Sequence, residues 1–358
     1  MRPPVVSEPE QLTASWLTAA LGGGPDDGFV VTAVETTPVG TGQMGASYRL
    51  ALTFDGARGE LPNTVVAKLP SPDVSRRAMA AGAYRTEIGF YRDLAHTVAV
   101  PAPHCHYADI TDDGAGFVLL LEDLHPARQG DQLVGATPDE AEQACRSLAA
   151  LQAPRWCDPT LADLDWVLPV DEEGADLLGQ VLVGATDIFC RRYEGRLRPE
   201  DAPLLAQVAE VIGPWILGRP ERFAPVHGDF RMDNLMFLPD ASTASSPIVV
   251  DWQTVGVGLP ARDLSYLLET SLDPALRRTH EHDLVAAYHD ELVALGVVDY
   301  SLDQCFDDYR FGALQGPLIT VLGAAYGTET ARGDEMFLAM ISRSCDALRD
   351  LDTLSAMA

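Results

Sequence analysis

The spacing of apolar positions changes once along the chain. Between residues 28 and 68 they fall in short runs rich in β-branched and aromatic residues, GFVVTAVETTPV, SYRLALTF and NTVVAKL, which predicts strands. Gly56, Gly59 and Pro62 mark a turn between the last two. Residues 76–95 take helical spacing, with Tyr84, Ile88, Tyr91 and Ala95 on one face. GFVLLLEDL (116–124) opens as a continuous apolar run, the pattern of a strand buried on both faces, and two acids follow. From about residue 125 the pattern is helical. Thr137-Pro138-Asp139-Glu140 is a capping box with proline at the first helical position, opening a helix to about Ala153. Residues 176–193, 201–218, 260–270, 282–295 and 303–325 predict further helices. Two short strands, LMFLP and PIVVDW, interrupt them, joined by DASTASS. The expected fold class is α+β, with a small β-rich lobe over 1–121 and a larger helical lobe over 122–358.

Composition agrees with this and removes several classes. A chain of 358 residues suggests two lobes at roughly 150 residues each. Hydrophobic residues at 47% and charged residues at 22% are ordinary for a globular protein. No run of about 18 apolar residues predicts a membrane span. The start, MRPPVVSEPEQL, lacks the charged-then-apolar pattern of a signal peptide. The six cysteines lie far apart with no CxxC pair, so neither a zinc site nor a disulfide framework is signalled. A cytoplasmic protein with reduced thiols is expected. The net charge of −28 opposes binding to nucleic acid and to an anionic membrane surface. Oligomeric state has no signature in the sequence.

The sharpest chemical pattern is VHGDFRMDNLMF (226–237), followed by PIVVDWQ. It places His-Gly-Asp, an asparagine five positions after the aspartate, and a strand-terminal aspartate seventeen positions later. Phosphoryl transfer has a use for each, because its catalysis is positioning plus electrostatic stabilisation of phosphate oxygens. Asp229 suits the carboxylate that orients the attacking hydroxyl and accepts its proton. Asn234 and Asp251 suit the hard oxygen ligands that Mg²⁺ requires beside phosphates. His227 reads as a structural hydrogen-bonding residue.

Upstream, GTGQMG carries Gly40, Gly42 and Gly45. In a dinucleotide-binding fold such glycines open a helix. Here SYRLALTF follows, giving the strand–glycine loop–strand arrangement that covers nucleotide phosphates in kinases. Val65-Val66-Ala67-Lys68 ends an apolar strand on the only lysine in the chain. A buried ammonium needs a partner, and Glu87 in the 76–95 helix is the natural one. LLLEDL fits a hinge whose backbone groups, at Glu122 and Leu124, pair with an adenine edge. Met236, just after Asn234, is a candidate for the apolar floor beneath it.

These residues resemble the aminoglycoside phosphotransferase and choline kinase superfamily. HGDFRMDN resembles its HGDxxxxN catalytic loop, and VVDWQ its metal-binding aspartate strand. DWQ followed by GLPARDLSYLL is most similar to the ecdysteroid kinase-like branch, where DFQ precedes Pro-Ala-x-Asp-Leu. The resemblance covers roughly residues 28–270. It implies a bilobal protein-kinase-like fold, ATP, Mg²⁺, and the roles given above for Lys68, Glu87, Asp229, Asn234 and Asp251, with Asp263 a structural support near the site. Trp252 stands where phenylalanine is more usual, and Arg231 matches a different branch that carries HGDYRxxN, so no one acceptor is implied.

The expected function is ATP-dependent phosphorylation of a hydroxyl on a small molecule. The alternative is a non-catalytic nucleotide-binding pseudokinase or regulatory protein, which the filled catalytic positions disfavour. A nicotinamide-dependent oxidoreductase is disfavoured by the strand after the glycines. Acidic stretches such as DPTLADLD and VDEEGAD predict a neutral or cationic acceptor, since a field of one sign concentrates the opposite charge. His104 with His106, and His280 with His282, share a spacing but have no third ligand nearby, and both pairs read as structural.

Overall fold

The apolar runs of the first third form one antiparallel sheet. The computed structural model describes residues 2–24, 28–40, 45–239 and 246–357. After helix α1 (Ala14–Ala20) come β1 (Phe29–Val39), β2 (Gly45–Gly56), β3 (Thr64–Pro70), helix α2 (Val74–Gly89), β4 (Cys105–Ile110) and β5 (Phe117–Glu122). The sheet order is β1-β2-β3-β5-β4. The expectation that the GFVLLL run is covered on both sides holds, residue by residue. Val118 and Leu120 join the cluster formed with α1 and β1–β3, whereas Phe117, Leu119 and Leu121 join the one formed with α2. Side chains alternate across a strand, so two separate cores leave no polar position in it.

The chain divides into two compact units, and the division is not the single cut expected after residue 121. The first unit takes Met1–His96, Ala102–Pro126 and Asp251–Thr254; the second takes Thr97–Pro101, Ala127–Val250 and Val255–Ala358. Side-chain chemistry explains why 251–254 goes with the sheet. Asp251 pairs with Lys68, Gln253 bonds to Glu87, and Trp252 stacks on Phe90 at 3.6 Å between ring centroids. Phe90 reaches Trp252 from a π-helical stretch, Phe90–Leu94, that continues α2.

The second unit is helical. Its elements are β6 (Arg128–Gln129), α3 (Pro138–Gln152), α4 (Glu172–Arg192), α5 (Asp201–Ile216), β7 (Ala224–Val226), β8 (Leu235–Phe237), β9 (Ile248–Val249), β10 (Gly256–Gly258), α6 (Ala261–Ser271), α7 (Pro274–Ala294), α8 (Leu302–Gly312), α9 (Gln315–Tyr326) and α10 (Ala331–Asp350). The capping box expected at Thr137 and Glu140 is present. β8 pairs with both β6 and β9 in a small antiparallel sheet.

Three expectations change. The single helix over 303–325 is two helices, α8 and α9. The Tyr309 carbonyl, which a continuous helix would offer to the N–H of Ala313, accepts from Ser265 Oγ instead, and the Phe311 carbonyl accepts from Trp215 Nε1. The helix expected from 282 begins at Pro274, where Asp273 caps the Ala275 N–H. α10 was not expected, although Thr330 caps it and Met336, Phe337, Met340, Ile341 and Cys345 follow helical spacing. No helix among the described residues is long and apolar enough to cross a membrane.

Candidate active site

In the first unit, strand pleating selects which β3 side chains leave the core. Val65, Ala67 and Leu69 point into the core cluster, so Lys68 projects from the opposite face. Its Nζ lies 2.5 Å from Glu87 Oε1 and 3.3 Å from Asp251 Oδ1. Glu87 is fully buried on α2, beside Tyr84 and Ile88 of the second core cluster. Gln253 Nε2 donates to its other oxygen at 3.3 Å. Burial works to lower the Lys68 pKa, but the attraction of Asp251 and then of Glu87 outweighs it, and the ammonium is held above its ordinary range. Burial pushes the Glu87 carboxyl up, opposed by Lys68. The expected lysine–glutamate pair is therefore present, with Asp251 as a second anion.

Asp251 does not end a strand, as its sequence context suggested. β9 stops at Val249, the Val250 N–H bonds to the Asn234 carbonyl, and Asp251 has φ +68°. A left-handed residue cannot continue an extended ladder, and aspartate tolerates this conformation better than most residues. The turn gives Asp251 to the cluster around Lys68.

In the second unit, α6 grips the loop after β7. Asp263 Oδ2 accepts from the His227 N–H at 2.5 Å and Oδ1 from the Gly228 N–H at 2.9 Å. His227 is buried, with Nδ1 accepting from the Asp229 N–H at 3.3 Å and Nε2 3.2 Å from the Val250 carbonyl. This fits a neutral ring protonated on Nε2, a structural part. The Asp229 carboxylate meets three side chains. Tyr266 OH donates to Oδ1 at 2.7 Å, Arg231 Nε lies 3.0 and 3.1 Å from the two oxygens, and Asn234 Nδ2 donates to Oδ2 at 3.0 Å. Asn234 Nδ2 also donates to the Asp229 carbonyl at 2.8 Å, which leaves Oδ1 as the amide atom for another ligand. Burial pushes the Arg231 pKa down, but Asp229, then Tyr266 and Asp233, outweigh it, and it stays above its usual range. Asp233 is held in turn by the Gln132 N–H at 2.9 Å and by both terminal nitrogens of Arg332 at 3.0 Å.

Burial pushes the Asp263 carboxyl up to about 7, with the His227 and Gly228 N–H groups pulling the other way. An unfolded aspartate titrates near 4. The folded form thus binds the extra proton between about pH 4 and 7, and the stability from this group falls as pH rises through that window. Asp263→Asn removes that slope, at a pH-independent cost of one backbone hydrogen bond, because its amide nitrogen cannot accept from His227 or Gly228. Thermal melts of wild type and variant from pH 4.5 to 8 check it: the difference between the two should change with pH below about 7 and flatten above it. Parallel curves throughout would contradict the assignment.

Other expected positions are as follows. Gly40 has φ +73° at the end of β1, and Gly45 opens β2, where an added Cβ would lie 2.8 Å from the Leu69 carbonyl. Gly42 lies outside the described residues. A strand, not a helix, follows these glycines. The Glu122 N–H, one of the backbone groups expected to be open, is occupied. Glu122 is the last residue of β5, its N–H donates to the His104 carbonyl at 2.8 Å, and its side chain accepts from the His104 N–H at 3.1 Å. That donor is already used by His104, just before β4. Leu124 is half-buried two residues on, and Met236 is half-buried on β8, between Gln129 and Ile248. Sequence reasoning missed Tyr266, Gln253, Asp233, Arg332 and Gln132. Tyr266 had a signal, lying three positions after Asp263 and so on the same helix face. Arg332 and Gln132 had none, because each meets Asp233 from more than ninety residues away in sequence.

Several of the candidate site residues fall within one recognisable segment. Residues 219–297 match the ecdysteroid kinase-like family. That segment carries Asp229, Asn234, Asp251 and Asp263 together, in agreement with the likeness drawn from HGDFRMDN and DWQ. No match is found among curated protein sequences. The fold is that of the aminoglycoside phosphotransferases and the choline and ethanolamine kinases. A choline kinase from Cryptosporidium parvum Iowa II is 9% identical with TM-score 0.54, over 89% of this chain and 91% of that one. Aminoglycoside 2′-phosphotransferase-IIIa, in complex with GDP, is 17% identical with TM-score 0.52, over 88% and 93%. A Plasmodium vivax ethanolamine kinase is 12% identical with TM-score 0.51, over 87% and 82%.

Proposed function

We propose that the protein transfers the γ-phosphate of ATP to a hydroxyl group of a small molecule. The observation that carries this reading is the ion pair between Lys68 and the fully buried Glu87 at 2.5 Å. A strand lysine paired with a helix glutamate is what an active kinase needs to fix the nucleotide phosphates. Its presence favours a catalyst over a non-catalytic nucleotide binder. Lys68 binds the phosphates, Glu87 and Gln253 hold Lys68, and Gly40 and Gly45 belong to the phosphate side of the nucleotide. Asp229 orients the acceptor hydroxyl and takes its proton. In this reading Leu124 and Met236 line the adenine side, and the Glu122 N–H takes no part.

The donor set suits Mg²⁺. Asn234 Oδ1 is an amide oxygen, and the Asp251 side chain is 43% exposed, so its carboxylate is open to solvent on one side. Magnesium bound to phosphates needs only one or two such protein oxygens. When bound, the ion neutralises charge on the phosphates. Asn234 and Asp251 are the residues that would hold it.

The acceptor is read as neutral or cationic. Net charge is −28, and Asp229, Asp233 and Asp131 lie together around Arg231 and Arg332. The test is Mg²⁺-dependent consumption of ATP, with GTP as comparator, over matched aminated, neutral and carboxylated alcohols. Preference for the carboxylated set at both low and high salt would overturn the charge argument. In the same system Asp251→Asn should weaken Mg²⁺-dependent nucleotide binding about tenfold or more, since a neutral amide replaces an anionic ligand. Calorimetric titration of Mg·ATP decides this, and unchanged affinity would place the metal elsewhere.

A further inference from the structure

We propose that Tyr266 is a positioning residue for Asp229, its hydroxyl fixing the plane of the carboxylate and hence the direction from which the acceptor hydroxyl must approach. The inference rests on the reading of Asp229 as the carboxylate that orients the acceptor.

Of the three side chains on Asp229, two are local. Arg231 and Asn234 lie two and five residues along the same loop, Arg231 being held in addition by Asp233 and Met336. Tyr266 comes from α6, whose eleven residues are all buried. Its ring is fully buried and its hydroxyl lies 2.7 Å from Asp229 Oδ1. A buried hydroxyl needs a partner, and a charge-assisted bond to a carboxylate is among the stronger ones. Burial pushes the phenol pKa well up, so Tyr266 keeps its proton and remains a donor.

The same helix also sets the loop backbone. Asp263, one turn before Tyr266 and on the same face, takes the N–H groups of His227 and Gly228. α6 therefore fixes the loop twice, at the backbone before Asp229 and at its carboxylate. A carboxylate offers about four lone-pair positions. Tyr266 donates to Oδ1, Asn234 donates to Oδ2, and the single Arg231 Nε–H lies between the two oxygens, so three donors leave one position for the acceptor hydroxyl. Without Tyr266 no side chain from outside the loop bonds the carboxylate directly, and it can turn about its contacts with Arg231 Nε and Asn234. Precise orientation of a reacting group is worth large factors in rate, and a misplacement of about 1 Å costs on the order of 10²-fold.

The test uses the full chain with Mg·ATP and water as the phosphoryl acceptor, so the natural acceptor need not be known. Turnover and KM are measured for wild type, Tyr266→Phe, Asp229→Ala and the double variant, with thermal melts to verify folding. Tyr266→Phe should lower kcat by on the order of 10–10²-fold and leave KM for Mg·ATP unchanged. In the Asp229→Ala background the same change should have no further effect, because a residue acting only through Asp229 has nothing left to act on. A crystal structure of Tyr266→Phe should show the Asp229 carboxylate turned from its place. Wild-type kcat in Tyr266→Phe, an unmoved carboxylate, or an equal loss in both backgrounds would overturn the positioning role and leave Asp229 standing. A wild type that does not hydrolyse Mg·ATP, or full turnover in Asp229→Ala, would overturn the reading of the site and this inference with it.

Discussion

Asp229→Ala should lower turnover by about 10²–10⁴-fold, the usual scale for a positioned acid or base, while Mg·ATP affinity stays close to wild type. Alanine is a cleaner probe than asparagine here. Both Asp229 oxygens accept hydrogen bonds, so the amide nitrogen of an asparagine would face a donor whichever way it turned. With alanine, Arg231 keeps its ion pair with Asp233 at 2.9 Å, so no buried guanidinium is left without an anion. The remaining cost is the Tyr266 hydroxyl, which loses its buried partner at about 1–3 kcal/mol. That is small enough for the variant to fold and large enough to see in a thermal melt. Steady-state kinetics over the acceptor panel decide the point. Near-wild-type turnover on the true acceptor would remove Asp229 from the chemistry, whatever its contacts.

The largest stability effect is expected at Lys68. Lys68→Met keeps the length of the side chain but leaves Glu87 fully buried with only Gln253 as a polar partner. Breaking a buried ion pair from one side costs about 3–5 kcal/mol, because an uncompensated charge stays inside. For a protein of this size that lowers the melting temperature by on the order of 10 °C. Asp251 contributes little to the loss, since water already reaches it. The deficit should also depend on pH. With Lys68 gone, burial, helped by the Asp251 charge and opposed by Gln253, raises the folded Glu87 pKa above the unfolded one. The destabilisation is then present at neutral pH and shrinks as pH falls and Glu87 takes up a proton. Lys68→Met/Glu87→Leu should recover most of the stability and none of the nucleotide affinity, because an apolar pair replaces the ionic one without restoring a phosphate ligand. A single variant that melts with wild type would show that the pair adds nothing to the fold.

Some of this was readable from local patterns, because local physics governs it. The period of the apolar residues separates a sheet from a helical unit, and the unbroken FVLLL run of β5 requires cover on both faces. The capping box at Thr137 starts α3 whatever lies around it. The HGD loop, Asn234, the lone lysine and its helix glutamate stand out by residue type and spacing. The structure does bring Lys68 to Glu87 and Asn234 to Asp229.

What the tertiary structure alone decided depends on contacts between segments distant in sequence. No local rule puts Asp251 in a left-handed turn beside Lys68, 183 residues away. Nor does one split the 303–325 helix, which needs Ser265 of α6 to take the Tyr309 carbonyl. The Glu122 N–H was expected to be open because a strand end reads as a connector, but His104, just before β4, lies alongside and uses it. Helical spacing puts Tyr266 one turn after Asp263 on the same face. Only the packing of α6 against the HGD loop decides that its hydroxyl meets Asp229 rather than another acceptor. Hydrophobic burial depends mainly on area and is therefore legible as a pattern, whereas a hydrogen bond is directional and its partner is known only once the fold has brought the two groups together.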